Sequence, residues 1–341
     1  MVTMTDVAER AGVSIATVSH VINDTRTVTD ETRARVLAVI EELGYRPNRL
    51  ARSLVRGETH TLGLILPDNA NPFFAEIARG VEDTSFENGY NVILCNSYND
   101  LEKELRYTDV LIEKQVDGIL FVSAGMSTEH VCALQAQRMP VVIVDRDIPD
   151  VLVDKVLTDN VHGGWLATGH LVELGHRRIA CITGPSDVTP SAERITGYRQ
   201  ALEESGIDVD DALVVKGDFQ CESGYQRTHG LLSLDDPPTA VFACNDLMAI
   251  GAISAAVDAG RRVPMDLSVV GYDNIYLSAF ANPPLTTVVE PQYEQGVLAA
   301  KMLLERVRDP DVFPRREMLD THLLIRRSAV PLGAECLPGE G

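Results

Sequence analysis

Apolar segments of this chain repeatedly end in side chains suited to binding rather than packing. Asn71, Phe73 and Phe74 follow TLGLIL, Asp145 and Arg146 follow VVIV, and Asp159 and Asn160 stand where one strand-and-helix series gives way to the next. Arg194 follows CITGPSDVTP, Phe219 follows the ALVV segment, Asn245 and Asp246 follow VFAC, and Asp273 follows VVGY. Arginine and carboxylate side chains offer paired donors and acceptors that match vicinal hydroxyls, and asparagine does both. Phenylalanine supplies a flat apolar wall for the carbon face of a ring. The set suits recognition of a polyol, a sugar above all. Turn formers, helix caps and core aromatics account for any one of these residues but poorly for all of them together.

The same residues do not assemble a nucleophile, a base and an orienting partner, so no catalytic residue is expected and the chain does not read as an enzyme. Gly-x-Ser-x-Gly, the P-loop pattern and His-Glu-x-x-His are absent, and the eight histidines show no metal-ligand spacing. Six cysteines, Cys95, Cys132, Cys181, Cys221, Cys244 and Cys336, lie scattered without a Cys-x-x-Cys pair, mostly within or beside apolar runs. That usage fits reduced thiols, with no disulfide, no zinc and no cofactor.

The elements that must position these residues follow from periodicity. From Thr61 the chain reads as strand, loop and helix units: TLGLIL and a helix from Pro72 to Asn88, YNVILCN and a helix to Lys114, GILFVS and a helix to Arg138, then VVIVD. A second series begins near Asn160, with a helix to Leu174, strand RIACITG, a helix from Ser191 to Ser205, ALVV, a helix over Ser223 to Leu232, AVFACND, a helix to Ala259, and LSVVGYD. Apolar strands alternating with amphipathic helices imply parallel sheets covered on both faces, here two lobes of one architecture. Ligands in such sheets bind beyond the carboxyl ends of the strands, which places the polar set above in the cleft between lobes. Gly175, His176, Arg177 and Arg178 read as a surface turn, and His162, His170 and His229 as helix or interface residues without a function.

The first 56 residues have a different texture. Val7, Ala8 and Ala11 recur at helical spacing, Gly12 permits a turn, and Ser14 caps a second helix whose Val18, Val21 and Ile22 share a face. Thr29 reads as the cap of a third helix with Asp30 and Glu31 in its first turn, Val36, Ile40 and Leu43 inward, and Gly44 as its stop. At 341 residues, 45% hydrophobic, the chain suits such a head plus two larger lobes. The net charge of −20 is unevenly placed: residues 1 to 60 hold eight arginines, no lysine and eight carboxylates, so the acidity belongs to the lobes. A neutral head that uses Arg26, Arg46, Arg49, Arg52 and Arg56 against phosphates depends on salt and on two heads acting together. No apolar run is long enough to span a membrane and no secretory signal is legible, so the expected location is the cytoplasm.

The string TDVAERAGVSIATVSHVIN followed by VTDETRARVLAVIEELGYRPNRLARSL resembles the LacI/GalR family of bacterial transcription regulators nearly residue for residue, and the likeness extends over most of the chain. The resemblance implies a small all-α helix-turn-helix head plus an α/β, periplasmic-binding-protein-like core of two doubly wound parallel-sheet lobes. The head spans residues 1–46 and a hinge helix with its linker 47–60. The first lobe takes 61–160 and 290–322, the second 161–289 and 323–333, and the tail 334–341. In a head of this kind the start of the second helix faces the major groove, bringing Ile15, Ala16, Thr17 and His20 to base edges, with Thr5, Ser14, Asn23 and Tyr45 against phosphates. Ile15 and Ala16 read little beyond thymine methyls, which leaves discrimination to His20 and Arg26. Leu54 matches the family's minor-groove wedge in the hinge, whereas Val55 stands where ribose and purine repressors carry a lysine.

At the cleft, NPFF, DR, DN, ER-x-x-GY, GDF, ND and GYD match the sugar positions of ribose repressors, which would set Asn71, Phe73, Phe74, Asp145, Arg146, Asn160, Arg194, Phe219, Asn245 and Asp273 around the ligand. One position departs from the pattern: within TTVVEPQYEQG the family generally has glutamine and this chain has Glu290. An ionised glutamate only accepts, and a second carboxylate near Asp273 must be paired, protonated or exposed. Glu290 therefore points to another pentose, an amino sugar or a nucleoside, or to an ion pair with Arg146 or Arg194. The tail lacks heptads, so a homodimer on a palindromic operator is implied rather than a tetramer. The expected activity is repression of sugar-utilisation genes, relieved when a pentose, ribose foremost, fills the cleft. The alternative is a corepressor-dependent regulator that binds a purine or nucleoside.

Overall fold

The periodicities resolve, in a computed structural model, into a helical unit over residues 1–59 and an α/β unit over residues 60–341. The described residues are 2–23, 26–45, 58–122, 125, 127–148, 150–185 and 189–334. The expected hinge wedge Leu54, the arginines Arg46, Arg49, Arg52 and Arg56, Val55, and most of the tail lie outside them.

The head holds helices Met4–Ala11, Ile15–Asn23 and Asp30–Leu43. Thr3 caps the first, accepting from the Asp6 amide while the Asp6 carboxylate accepts from the Thr3 amide, and Gly12 ends it at φ 65°, a conformation glycine adopts without strain. The Ser14 hydroxyl accepts from the Thr17 amide at 3.1 Å, and Thr29 caps the third helix ahead of Gly44. Val7, Ala8, Ala11, Val18, Val21, Val36, Val39 and Tyr45 form the core. The expected inward pair Ile40 and Leu43 is only partly buried, because the fully inward position of that helix falls to Val39.

The α/β unit contains two six-stranded sheets. The first comprises β1 (Thr61–Leu66), β2 (Asn91–Asn96), β3 (Gly118–Val122), β4 (Val141–Val144), β5 (Asp154–Thr158) and β11 (Arg316–Leu319) in the order β11-β5-β4-β3-β1-β2, all parallel. The second comprises β6 (Ile179–Thr183), β7 (Val214–Lys216), β8 (Ala240–Ala243), β9 (Ser268–Asp273), β10 (Thr286–Val289) and β12 (His322–Leu324) in the order β12-β10-β9-β8-β6-β7, with only β12 antiparallel. Both orders reverse beside their first strand, and such switch points open a crevice beyond the strand ends. The chain passes between lobes after β5, after β10 and between β11 and β12, and these passages bring Asn160 and Glu290 to one place.

β5, β10 and β11 were not among the expected strands. The reason for β5 is chemical: Asp154 and Lys155 sit in it, both buried, Asp154 paired with Arg306 at 2.6 Å and Lys155 with Asp147 at 2.5 Å. Two charges erase the apolar signature that a buried strand otherwise shows.

The expected surface turn around His176 is also corrected. Gly175 does turn at φ 88°, but the His176 ring is buried at 3% exposure. Its Nδ1 meets the Thr239 hydroxyl at 2.9 Å and its Nε2 meets the Val330 carbonyl at 3.0 Å, joining the end of helix Asn160–Glu173 to the start of β8 and to the C-terminal segment. Burial lowers the His176 pKa from its ordinary 6.5, against the opposing pull of the Val330 carbonyl. Because the folded value lies below the unfolded one, this residue's contribution is fully present above the ordinary value and lost as pH falls below it. A His176→Asn variant should therefore show a shallower loss of unfolding free energy on acidification through about pH 6. Urea titrations across that range with equal slopes for both proteins would contradict this.

Candidate functional site

Between the lobes lies a cavity of about 340 Å³, lined by Asp68, Asn71, Phe73, Phe74, Asn99, Gly125, Asp145, Arg146, Pro185, Pro190, Arg194, Asp218, Phe219, Gln220, Asn245 and Asp273. Nine of the eleven residues expected to meet a ligand are in this lining. Asn160 and Glu290 are not, and lie behind Arg194 instead.

On the first-lobe wall, Asn71 caps helix Pro72–Glu87, its Oδ1 accepting from the Phe73 amide at 3.0 Å. The ordinary helix-start chemistry is thus real and uses only half of the side chain. Phe73 and Phe74 meet edge to face, centroids 5.1 Å apart, with Phe73 in the lobe core and Phe74 half-buried. Asp145 and Arg146 follow β4, and Asp145 is 5% exposed.

On the second-lobe wall, the Asn245 amide donates to the Phe219 carbonyl at 3.0 Å while its oxygen caps helix Asp246–Asp258. The Phe219 ring lies against Gly184, where a Cβ would come within 2.0 Å of it. Asn99, Asp145, Phe219 and Asp273 all have positive φ, at 57°, 72°, 68° and 102°. For residues with a side chain this is strained backbone, and four of the ten such positions among the described residues line this one cavity.

Arg194 is the centre of the floor. It stands on helix Thr189–Glu204, which crosses helix Asn160–Glu173 so closely that a Cβ on Gly164 would lie 2.2 Å from the Arg194 carbonyl oxygen. That approach sets Asn160 beside the guanidinium. Arg194 Nε donates to Asn160 Oδ1 at 2.8 Å, Nη1 to the Cys244 carbonyl at 2.6 Å and Asp273 Oδ1 at 3.3 Å, and Nη2 to Glu290 Oε2 at 2.9 Å. The guanidinium stacks on the Tyr272 ring, 3.7 Å from its centroid, and the Tyr272 hydroxyl donates to Asn160. Of the five guanidinium hydrogens, one on Nη2 has no protein acceptor among the described residues. Burial works against the Arg194 charge, but the surrounding anions, Glu290 foremost, outweigh it and raise its pKa. Burial likewise raises Asp273 well above the ordinary carboxylate value, with Arg194 opposing and Glu290, Asp246 and Asp145 adding to the rise.

Sequence reasoning missed Asp68, Asn99, Gly125, Pro185, Pro190, Asp218 and Gln220. Asp68 was legible, standing two residues after the end of β1. Gln220 approaches Asp68 across the mouth at 3.5 Å, a pairing no linear signal reveals.

In the head, Thr5, Ser14, Ile15, Ala16 and Arg26 are exposed, and Thr17, His20 and Asn23 are half-buried. Ile15, at 49% exposure, is an apolar residue left uncovered at the start of its helix. Tyr45 is corrected: at 9% exposure it is part of the head core, so its ring packs rather than facing a phosphate.

Residues 3–48 match the bacterial regulatory proteins of the lacI family, and residues 59–327 match the periplasmic binding proteins and sugar binding domain of the LacI family. The chain belongs to the LacI family. It is similar to the HTH-type transcriptional repressor PurR of Aliivibrio salmonicida (strain LFI1238), at 42% identity over 91% of this chain and 93% of that protein. It is equally similar to the ribose operon repressor of Escherichia coli (strain K12), at 42% identity over 96% of this chain and 100% of that protein. Among solved structures it resembles the lac repressor dimer bound to operator and the anti-inducer ONPF, with a TM-score of 0.88 at 29% identity, covering 96% of this chain and 99% of the other. This LacI-family chain is thus a DNA-binding transcriptional regulator with an effector-binding core, not an enzyme. Among the described residues no group of His, Cys, Asp or Glu is arranged to hold a metal ion, and no helix is long and apolar enough to cross a membrane.

The Asn160 position carries a stability prediction. Replacing it with leucine leaves the Nε–H of a buried guanidinium without an acceptor, which costs about 3 kcal/mol of unfolding free energy. Urea unfolding of Asn160→Leu within about 1 kcal/mol of wild type would contradict the assignment.

Proposed function

We propose that this chain is a homodimeric repressor that binds a palindromic operator through paired heads and leaves it when a pentose, with ribose the first ligand to test, occupies the interlobe cavity. The carrying observation is the cavity itself. Its volume of about 340 Å³ is at the small end of ligand sites and suits one monosaccharide. Its polar groups are Asp, Asn and Arg, with Phe74 and Phe219 on opposite walls to hold the carbon faces of a ring. An aromatic base is served less well by so many carboxylates, which only accept hydrogen bonds when ionised.

Pairing of two chains is supported by an exposed apolar patch in the second lobe. Tyr276 and Phe280 are 72% and 70% exposed with ring centroids 4.9 Å apart, and Leu277 lies between them in sequence. Such clusters mark interaction surfaces. A head without net charge gains little from phosphates, so two heads held together supply the affinity through effective concentration. The effector controls that pairing by closing the lobes: Gln220 near Asp68 and Thr189 near the Asp147 carbonyl already face one another across the mouth, each at 3.5 Å. A ligand that binds the closed form better shifts the population toward it.

The equal similarity to the transcriptional repressor PurR of Aliivibrio salmonicida leaves room for a second reading, in which a purine or nucleoside strengthens operator binding. The sign of the ligand effect separates the two. Saturating ribose should weaken operator binding by roughly 5- to 150-fold in a fluorescence anisotropy titration. Tightening by a purine base, with ribose inert, selects the second reading, and an affinity indifferent to both ligand classes defeats effector control.

The dimer has its own test. Phe280→Asp places a charge within the exposed patch and should yield a monomer by sedimentation velocity, together with a loss of operator affinity of about 100-fold or more. A Phe280→Asp protein that stays dimeric removes this surface from the pairing.

A further inference from the structure

The charge count around Arg194 narrows the ligand class. Two carboxylates share one guanidinium: Glu290 Oε2 at 2.9 Å from Nη2, and Asp273 Oδ1 at 3.3 Å from Nη1. They are not equivalent. The Glu290 side chain is fully covered, and its Oε1 also receives the Thr158 hydroxyl and the Gln295 amide. Its acceptor capacity is spent inside the protein. Asp273 has the longer contact with Arg194, no other side-chain donor among the described residues, and a place in the cavity lining. The surplus carboxyl of the triad therefore lies on the cavity side, where burial works against its ionisation and a ligand cation would favour it.

The surroundings do not cancel it. Asp246 approaches from helix Asp246–Asp258, where it is held by the Thr287 hydroxyl and the Ile275 amide, and Asp145 approaches from the end of β4. The lining contains Asp68, Asp145, Asp218 and Asp273 against Arg146 and Arg194, with no lysine or histidine. Arg194, which reaches Asp273 at 3.3 Å, is shared with Glu290 at 2.9 Å, and among the described residues no second side-chain donor reaches the Asp273 carboxylate. An uncompensated buried carboxylate is costly, and a cation placed against it in a water-poor site gains strongly. A ligand phosphate meets the opposite situation.

Resting on the reading of this cavity as a polyol site, we infer that its effector is a pentose-sized polyol carrying a basic, protonated nitrogen, an amino or imino sugar whose cation sits against Asp273. Glu290 is the residue that creates this preference, by taking the Arg194 charge away from the cavity. It acts through Arg194 and does not touch the ligand.

Calorimetry on the full chain near neutral pH tests this with three probes: ribose, the ribose analogue in which nitrogen replaces the ring oxygen, and phosphorylated ribose. The imino analogue should bind at least about 30-fold more tightly than ribose, and phosphorylated ribose should give no heat. In Glu290→Gln the Arg194 charge returns to Asp273, and the preference should fall to about threefold or less. Asp273→Asn, which keeps the shape of the side chain, should erase the preference even if Glu290→Gln folds poorly. Ribose binding as tightly as the imino analogue in wild type, or a preference unchanged in both variants, overturns the inference while leaving the sugar-responsive repressor intact. Failure of all three probes overturns the polyol reading along with it.

Discussion

The structure depends on one buried charge. Arg194 is 4% exposed, and a guanidinium in that position must be matched or the lobe does not form. The partners come from everywhere. Asn160 opens the helix after the first passage between lobes, Cys244 follows β8, Asp273 ends β9, Glu290 stands in the second passage, and Tyr272 stacks below. Through Glu290 the set extends to Thr158 in β5 and Gln295 in helix Gln292–Arg308, both belonging to the first lobe. The two lobes thus share a polar knot at the passages where any relative motion is concentrated. Bonds in such a setting are either made or broken, which favours discrete arrangements over continuous deformation.

The distribution of charge between the units has a parallel consequence. The head is neutral and the lobes carry the whole excess of −20. At physiological salt charges are screened beyond about 8 Å, and a net charge far from zero favours solubility. What remains for the head is shape and a few side chains. Ile15, Ala16 and Arg26 are exposed and His20 is half-buried, so both apolar and polar side chains reach the surface of the head.

Most of this was legible along the chain, for reasons particular to each element. Strand ends were readable because parallel sheets put their loops on one edge, so Asp145, Phe219, Asn245 and Asp273 were predictable as cavity residues without any knowledge of contacts. Asn160 and Glu290 were expected at the cleft surface and lie one layer behind the cavity lining, against Arg194, because spacing along a chain carries no information about which of two adjacent polar layers a side chain enters. Tyr272 went unnoticed since an aromatic inside an apolar strand reads as core, and only the open space at Gly163, where a Cβ would fall 2.2 Å from the Tyr272 hydroxyl oxygen, lets that ring reach Arg194 and Asn160. β5 was hidden by its own buried ion pairs, and His176 by a motif, Gly-His-Arg-Arg, whose polarity suggests solvent where the histidine instead closes a three-way junction.

The strained residues explain why the cavity is where it is. Asp145 is fixed by its amide to the Val156 carbonyl at 2.9 Å, and the Phe219 carbonyl by Asn245 at 3.0 Å. Asp273 is fixed by β10, whose register pairs it with Val289. Each left-handed conformation costs about 1–3 kcal/mol and survives only because the sheet or a cap over-determines it. In exchange the side chains turn out of the strand direction and into the cleft. The same strain makes these positions poor candidates for drift: relaxing the backbone at Asp273 would withdraw the carboxylate from Arg194 and leave the guanidinium with fewer acceptors, so the binding geometry and the stability of the second lobe are held by the same bonds.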